Sequence, residues 1–95
     1  MVTALVLLNV GRDKVNAIAE QLATTEGITE VYSVAGRYDL AAIVRVKENE
    51  QLADVVTKKI RGLDGIEKSE TLIAFRVYSR YDLDMAFSLG MENKA

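Results

Sequence analysis

The chain contains no cysteine, histidine, proline or tryptophan among its 95 residues. Without cysteine there are no disulfides, no thiolate nucleophile and no Cys-ligated zinc. Without histidine the commonest general base and metal ligand are gone, and with them any Ser-His or Cys-His arrangement. No metal or cofactor is expected. Without proline or a low-complexity stretch, no linker divides the chain. Nor is positive charge in excess: 12 Lys and Arg face 14 Asp and Glu, a formal net charge of −2. Nucleic acid normally requires a basic face, so direct DNA binding is not expected. The apolar run Met1 to Val10 lacks the basic flank and cleavage site of a secretory signal and is too short to span a bilayer. The expectation is a cytoplasmic protein with no membrane partner.

What is present is a folded module: 49% of residues are hydrophobic and 27% charged. This length makes one domain near the lower end of what folds unaided. Val2 to Val10 is an apolar strand, with Val2, Ala4, Val6, Leu8 and Val10 on one face and Leu5 and Leu7 on the other. Asp13 is placed to cap a helix whose core stripe is Val15, Ile18, Ala19 and Leu22. Ile28 to Ala35 and Leu40 to Val46 are strands flanking a turn at Gly36. Asn49 is the next candidate cap, before a helix marked by Leu52, Val55, Val56, Ile60 and Leu63. Ile66 to Ser79 reads as a long last strand.

The order strand, helix, strand, strand, helix, strand, with Gly27-Ile28 and Gly65-Ile66 repeating one grammar, implies an α+β fold. It is the ferredoxin-like βαββαβ antiparallel sheet, with both helices on one face. The other face then exposes roughly six to eight aliphatic side chains. At ~25 cal/mol/Å², covering them contributes on the order of 10 kcal/mol before association costs. A dimer built sheet to sheet, of the α/β-barrel type, follows as an expectation.

The stretch Val34-Ala35-Gly36-Arg37-Tyr38-Asp39-Leu40 carries the functional signal. Gly36 supplies backbone freedom for the turn. An aromatic ring, a carboxylate and an exposed backbone can together grip something small and zwitterionic. The same residues also serve as an ordinary hairpin turn, with Asp39 tying its own backbone.

With these elements placed, the chain resembles the RAM domain, the effector-binding half of leucine-responsive (Lrp/AsnC) transcription regulators. The resemblance runs from Val2 to about Ser79. It rests on the apolar first strand, Gly36-x-Tyr38-Asp39, the apolar third strand, the helix end Leu63-Asp64-Gly65-Ile66, and the strand start Glu67-Lys68-Ser69-Glu70-Thr71. It implies binding without catalysis: a free amino acid held near the turn by Gly36, Arg37, Tyr38 and Asp39, with Ser69, Glu70 and Thr71 adding contacts from the last strand. It also implies dimers assembling into rings, often octamers. The first strand begins at Val2, so the expectation is a stand-alone domain over residues 1–80, without a helix-turn-helix, acting in mixed oligomers with full-length relatives or on some other partner. Residues 81–95 form a tail whose stripe Leu83, Ala86, Phe87 predicts a short helix on a neighbouring subunit.

Two other readings compete. Small ferredoxin-like dimers include cofactor-free monooxygenases and isomerases, but these usually rely on His, Trp or Asn; here only Tyr38 with Asp39 offers an acid/base pair. A purely structural oligomerisation module would use Arg76, Arg80, Asp82 and Asp84 as a subunit rim.

Overall fold

A computed structural model of the chain describes residues 1–78 and Arg80. Its order is β1 (Val2–Val10), α1 (Val15–Ala23), β2 (Ile28–Ser33), β3 (Leu40–Val46), α2 (Asn49–Asp54) continued by a π-helical stretch (Val55–Ile60), and β4 (Ile66–Ala74). The four strands form one antiparallel sheet in the order β2-β3-β1-β4. This is the expected ferredoxin-like α+β fold.

The alternation in β1 sets the two faces. Ala4, Val6 and Leu8 are wholly buried beneath the helices, and Val10 nearly so. Their β3 partners Val44, Ala42 and Leu40 are also fully buried. Ile18 and Leu22 of α1 close the core from above, with Leu52, Val55 and Ile60 of the second helix. On the opposite face the pairing makes apolar rows: Ile43, Leu5 and Leu72 align across three strands, and Ala41, Leu7 and Glu70 lie beside them. Leu72 is 47% exposed in the single chain.

Three local expectations need correction. β4 stops at Ala74, not Ser79, because its pairing ends at Thr3↔Ala74 where β1 itself begins. Beyond that point an edge strand has no partner to hydrogen-bond. Asp13 does not cap α1: Lys14 occupies the cap position without a side-chain cap, and its N–H donates to Gly11 O at 2.8 Å. Asn49 is already helical. The cap is Glu48, whose N–H donates to Gln51 Oε1 at 3.0 Å, the back-reaching half of a capping box.

The second helix also departs from plain α geometry. Val55 and Ile60 are both buried, five residues apart, while Val56 is only half-buried. A π turn brings positions i and i+5 together, so the widened helix turns both toward the sheet. The expected tail, residues 81–95, lies outside the described residues, as do Asp82 and Asp84 of the charged rim.

Candidate ligand-binding site

Six residues, Val34 to Asp39, connect β2 to β3. The loop is closed by Val34 N–H donating to Asp39 O at 3.0 Å. Gly36 has φ +132, and nothing lies within 4 Å of where a Cβ would stand. Its conformation therefore calls for glycine on backbone grounds alone, with open space around it. Gly36 and Arg37 are exposed, while Tyr38 and Asp39 are half-buried.

Asp39 is held three ways within its own chain. Its N–H donates to Leu8 O at 2.9 Å, its carbonyl receives Val34, and its Oδ2 accepts the Val10 N–H at 3.0 Å. The carboxylate extends the β1–β3 ladder past Leu8↔Leu40, where backbone pairing ends. The carboxylate does not tie its own turn backbone, as an ordinary hairpin aspartate would; it fastens a neighbouring strand, β1, instead.

Tyr38 connects the turn to the last strand. Its hydroxyl donates to Glu70 Oε2 at 2.8 Å, across 32 residues of sequence. Because β1 lies between β3 and β4, this contact spans the end of β1. The hydrogen bond to the Glu70 carboxylate is the main cause holding the Tyr38 phenol above its usual 10.0, with desolvation and the Glu70 charge adding to it. An ionised acceptor favours the protonated donor.

The seven residues expected at the site do not all meet. Gly36, Arg37, Tyr38 and Asp39 form the turn, and Glu70 joins them through Tyr38. Ser69 and Thr71 pair with Leu8 and Val6, whereas Glu70 pairs with Leu7. Strand alternation therefore sends Ser69 and Thr71 to the helix-covered face and Glu70 to the open one. Thr71 instead lines a groove of about 570 Å³ between the second helix and β4, together with Leu52, Val56 and Ile73. Lys68 and Asn9, paired across β1 and β4 on the open face, stand beside Glu70 and were not singled out from sequence. The Val10 N–H was missed too, since no side-chain pattern announces a backbone donor.

The site has one carboxylate reached by a phenol, one tied carboxylate, an exposed guanidinium and open backbone. These groups suit recognition of a small molecule carrying both charges. Among the described residues no group of three or more His, Cys, Asp or Glu is placed to hold a metal ion. No helix of the described residues is long and apolar enough to cross a membrane.

Residues 3–83 match the sequence profile of the Lrp/AsnC ligand binding domain. The chain is similar to an uncharacterized HTH-type transcriptional regulator of Pyrococcus horikoshii, PH1916, at 36% identity over 58 residues. That match covers 61% of this chain and 39% of the regulator. The HTH-type transcriptional regulator FL11 of Pyrococcus furiosus is 29% identical over 81% of this chain and 50% of its own length. The chain thus spans about two fifths to one half of the curated relatives it matches. Among solved structures, TTHA0845 of Thermus thermophilus superposes with a TM-score of 0.80 at 50% identity, covering 84% of this chain and all of that one. A Neisseria meningitidis transcriptional regulator solved with L-methionine has a TM-score of 0.75 at 9% identity, a likeness of fold alone.

Proposed function

The chain belongs to the Lrp/AsnC ligand binding domain family, and from that premise we propose that it is a non-enzymatic sensor of a free amino acid. The relatives it matches are named as transcription regulators. The observation that carries the reading is the Tyr38–Glu70 hydrogen bond, which joins the turn to the last strand on the open face of the sheet. The exposed Glu70 carboxylate receives the ligand ammonium. Arg37 and the N–H groups around Gly36 hold its carboxylate, and Tyr38 walls the side chain. Asp39 sets the turn through Val10 and offers the ligand at most its second oxygen. Ser69 and Thr71 support β4 from the other face.

The same reading makes the protein an oligomer. The row Ile43, Leu5, Leu72 covers itself against a second copy, sheet to sheet, and dimers associate further into rings. The module acts on transcription through partners, full-length Lrp/AsnC relatives among them, in the cytoplasm. A net charge of −2 gives it no electrostatic pull on DNA.

Isothermal titration with each free amino acid, L-methionine first, tests the proposal on the wild type, on Glu70→Gln and on Arg37→Ala. Both variants change exposed side chains, so assembly mass and melting temperature should hold. Binding of one amino acid that both variants weaken at least tenfold supports the sensor. A well-formed oligomer that binds none of them rejects it, and a purely structural assembly module then explains the open apolar face.

A further inference from the structure

Three charges gather at the turn end of the sheet: the Arg37 guanidinium, the Glu70 carboxylate and the Lys68 ammonium. Among the described residues, ion pairs join Lys14 to Asp64, Arg45 to Glu30 and Lys58 to Asp54, and none of the three charges takes part. Glu70 accepts its hydrogen bond from the neutral Tyr38 phenol, so its charge stays uncompensated. The phenol is raised chiefly by that hydrogen bond and lowered by the Arg37 charge, which puts the guanidinium beside the pair. Asp39 is already committed to the Val10 N–H.

The sheet brings Lys68 into this group. Lys68 and Glu70 stand two residues apart on β4, so they share the open face with Cα atoms roughly 7 Å apart. Lys68 faces Asn9 across the β1–β4 ladder, as Glu70 faces Leu7. Asn9 is the last residue of β1 on that face. The apolar rows of the open face therefore end in an amide and an ammonium, beside the carboxylate that Tyr38 reaches.

One carboxylate and two cations complement one class of amino acid. A neutral amino acid offers an ammonium to Glu70 and a carboxylate to Arg37, and leaves Lys68 unmatched. A basic one brings a second ammonium toward Lys68, where like charges repel. An acidic one brings a second carboxylate, and every charge finds an opposite in a charge-assisted hydrogen bond. Building on the sensor reading, we propose that the turn site selects an acidic amino acid, its side-chain carboxylate held by the Lys68 ammonium and the Asn9 amide. Glu70, Arg37 and the backbone around Gly36 hold the part common to all amino acids. Lys68 and Asn9 set the specificity.

L-glutamate with L-glutamine, and L-aspartate with L-asparagine, are near-isosteric pairs that differ by one charge. The ratio of affinities within a pair therefore isolates the side-chain contact. Isothermal titration measures it on the full chain, as wild type, Lys68→Met, Lys68→Arg and Asn9→Ala. In the wild type one acid should bind about tenfold or more tighter than its amide, and the ratio should fall in high salt. Lys68→Met should bring the ratio close to one, Lys68→Arg should keep it, and Asn9→Ala should reduce it. Lys68 is exposed, and a purely structural role would shift both members of a pair together and leave their ratio alone. Preference for an amide or an apolar amino acid overturns the proposal and leaves the sensor reading standing. An acid preference that survives Lys68→Met overturns it too. A well-formed oligomer that binds no amino acid overturns both.

Discussion

Asp39 Oδ2 accepts the backbone N–H of Val10 at 3.0 Å, fastening the end of β1 to the turn that enters β3. β1 changes register against β4 between Asn9 and Val10, so this N–H sits where the regular ladder is interrupted. Removing the acceptor from this largely buried strand end strands the donor. Asp39→Ala should cost roughly 1.5–3 kcal/mol in chemical denaturation, and Asp39→Asn about half as much, since a neutral acceptor remains. Equal stability of all three proteins would show that water replaces the carboxylate without loss. Any ligand affinity lost in Asp39→Ala must therefore be read against its stability.

Tyr38 and Glu70 make a second prediction, with a pH signature. The Tyr38 phenol is raised above 10.0, chiefly by its hydrogen bond to Glu70. The contribution of the protonated phenol is fully present below 10.0 and fades as pH rises through the higher folded-state value. A tyrosinate absorbance titration of the four tyrosines should lose a late-ionising group in Tyr38→Phe, and should show it ionising earlier in Glu70→Gln. On the sensor reading, Tyr38→Phe keeps the ring that walls the ligand but frees the Glu70 carboxylate from its hydroxyl, so it weakens ligand binding less than Glu70→Gln does.

These contacts show where sequence reading reaches and where it stops. The two faces of β1 were legible because Val6 and Leu8 alternate with Leu5 and Leu7, and a sheet enforces that period. The Gly27-Ile28 and Gly65-Ile66 junctions were legible because both glycines adopt φ near +100, at +96 and +106. The end of β4 was not, since it depends on where β1 starts some seventy residues earlier. Val55 and Ile60 were both legible as apolar marks of the second helix and both are buried; the π turn that brings positions five apart onto one face is what an α-helical template does not anticipate. The grouping of Glu70 with Ser69 and Thr71 followed the motif and overlooked the alternation that separates them. The Tyr38–Glu70 and Asp39–Val10 contacts join distant segments, and only the assembled sheet defines them.

The glycines divide into crowded and open positions, and their alanine variants should differ accordingly. At Gly27 an added Cβ would stand 2.9 Å from Val55 Cγ2 and 3.2 Å from Val46 Cγ1. Val55 is core, so Gly27→Ala adds overpacking of about 1–3 kcal/mol to a backbone cost of about 1–2 kcal/mol. Gly36→Ala carries the backbone cost alone. Thermal melts should rank wild type above Gly36→Ala above Gly27→Ala; the reverse order of the two variants contradicts the packing.

The open face predicts an assembly defect without a folding defect. Leu72 lies in the Ile43–Leu5–Leu72 row and is 47% exposed in one chain. Leu72→Glu places a charge in the middle of a surface proposed to be covered by a second copy, where an unpaired buried charge is strongly disfavoured. Light scattering should report a smaller particle with unchanged circular dichroism. An unchanged mass sends the sheet-to-sheet dimer back for revision.

Lys14 Nζ and Asp64 Oδ2 are 2.9 Å apart, pinning the start of α1 to the loop that leads into β4. The hydrogen bond and charge of Lys14 hold the Asp64 carboxyl below its usual 3.8, and those of Asp64 hold the Lys14 ammonium above its usual 10.5. Between those pH values both groups are charged in the folded and unfolded chain, so the contribution is constant. It is lost at the acid end as pH falls through the lowered Asp64 value, and at the alkaline end as pH rises through the raised Lys14 value. Asp64 is 96% exposed, so salt screens the pair as well. Lys14→Met keeps the apolar stem, which lies against Gly65 and would be 2.6 Å from a Cβ there. The stability gap between wild type and Lys14→Met, measured by denaturation, should therefore be level across neutral pH, narrow below about pH 3.8, and shrink in 1 M salt. A gap of the same size at acid pH and in high salt would assign the effect to the stem's packing and leave the ion pair without a role in stability.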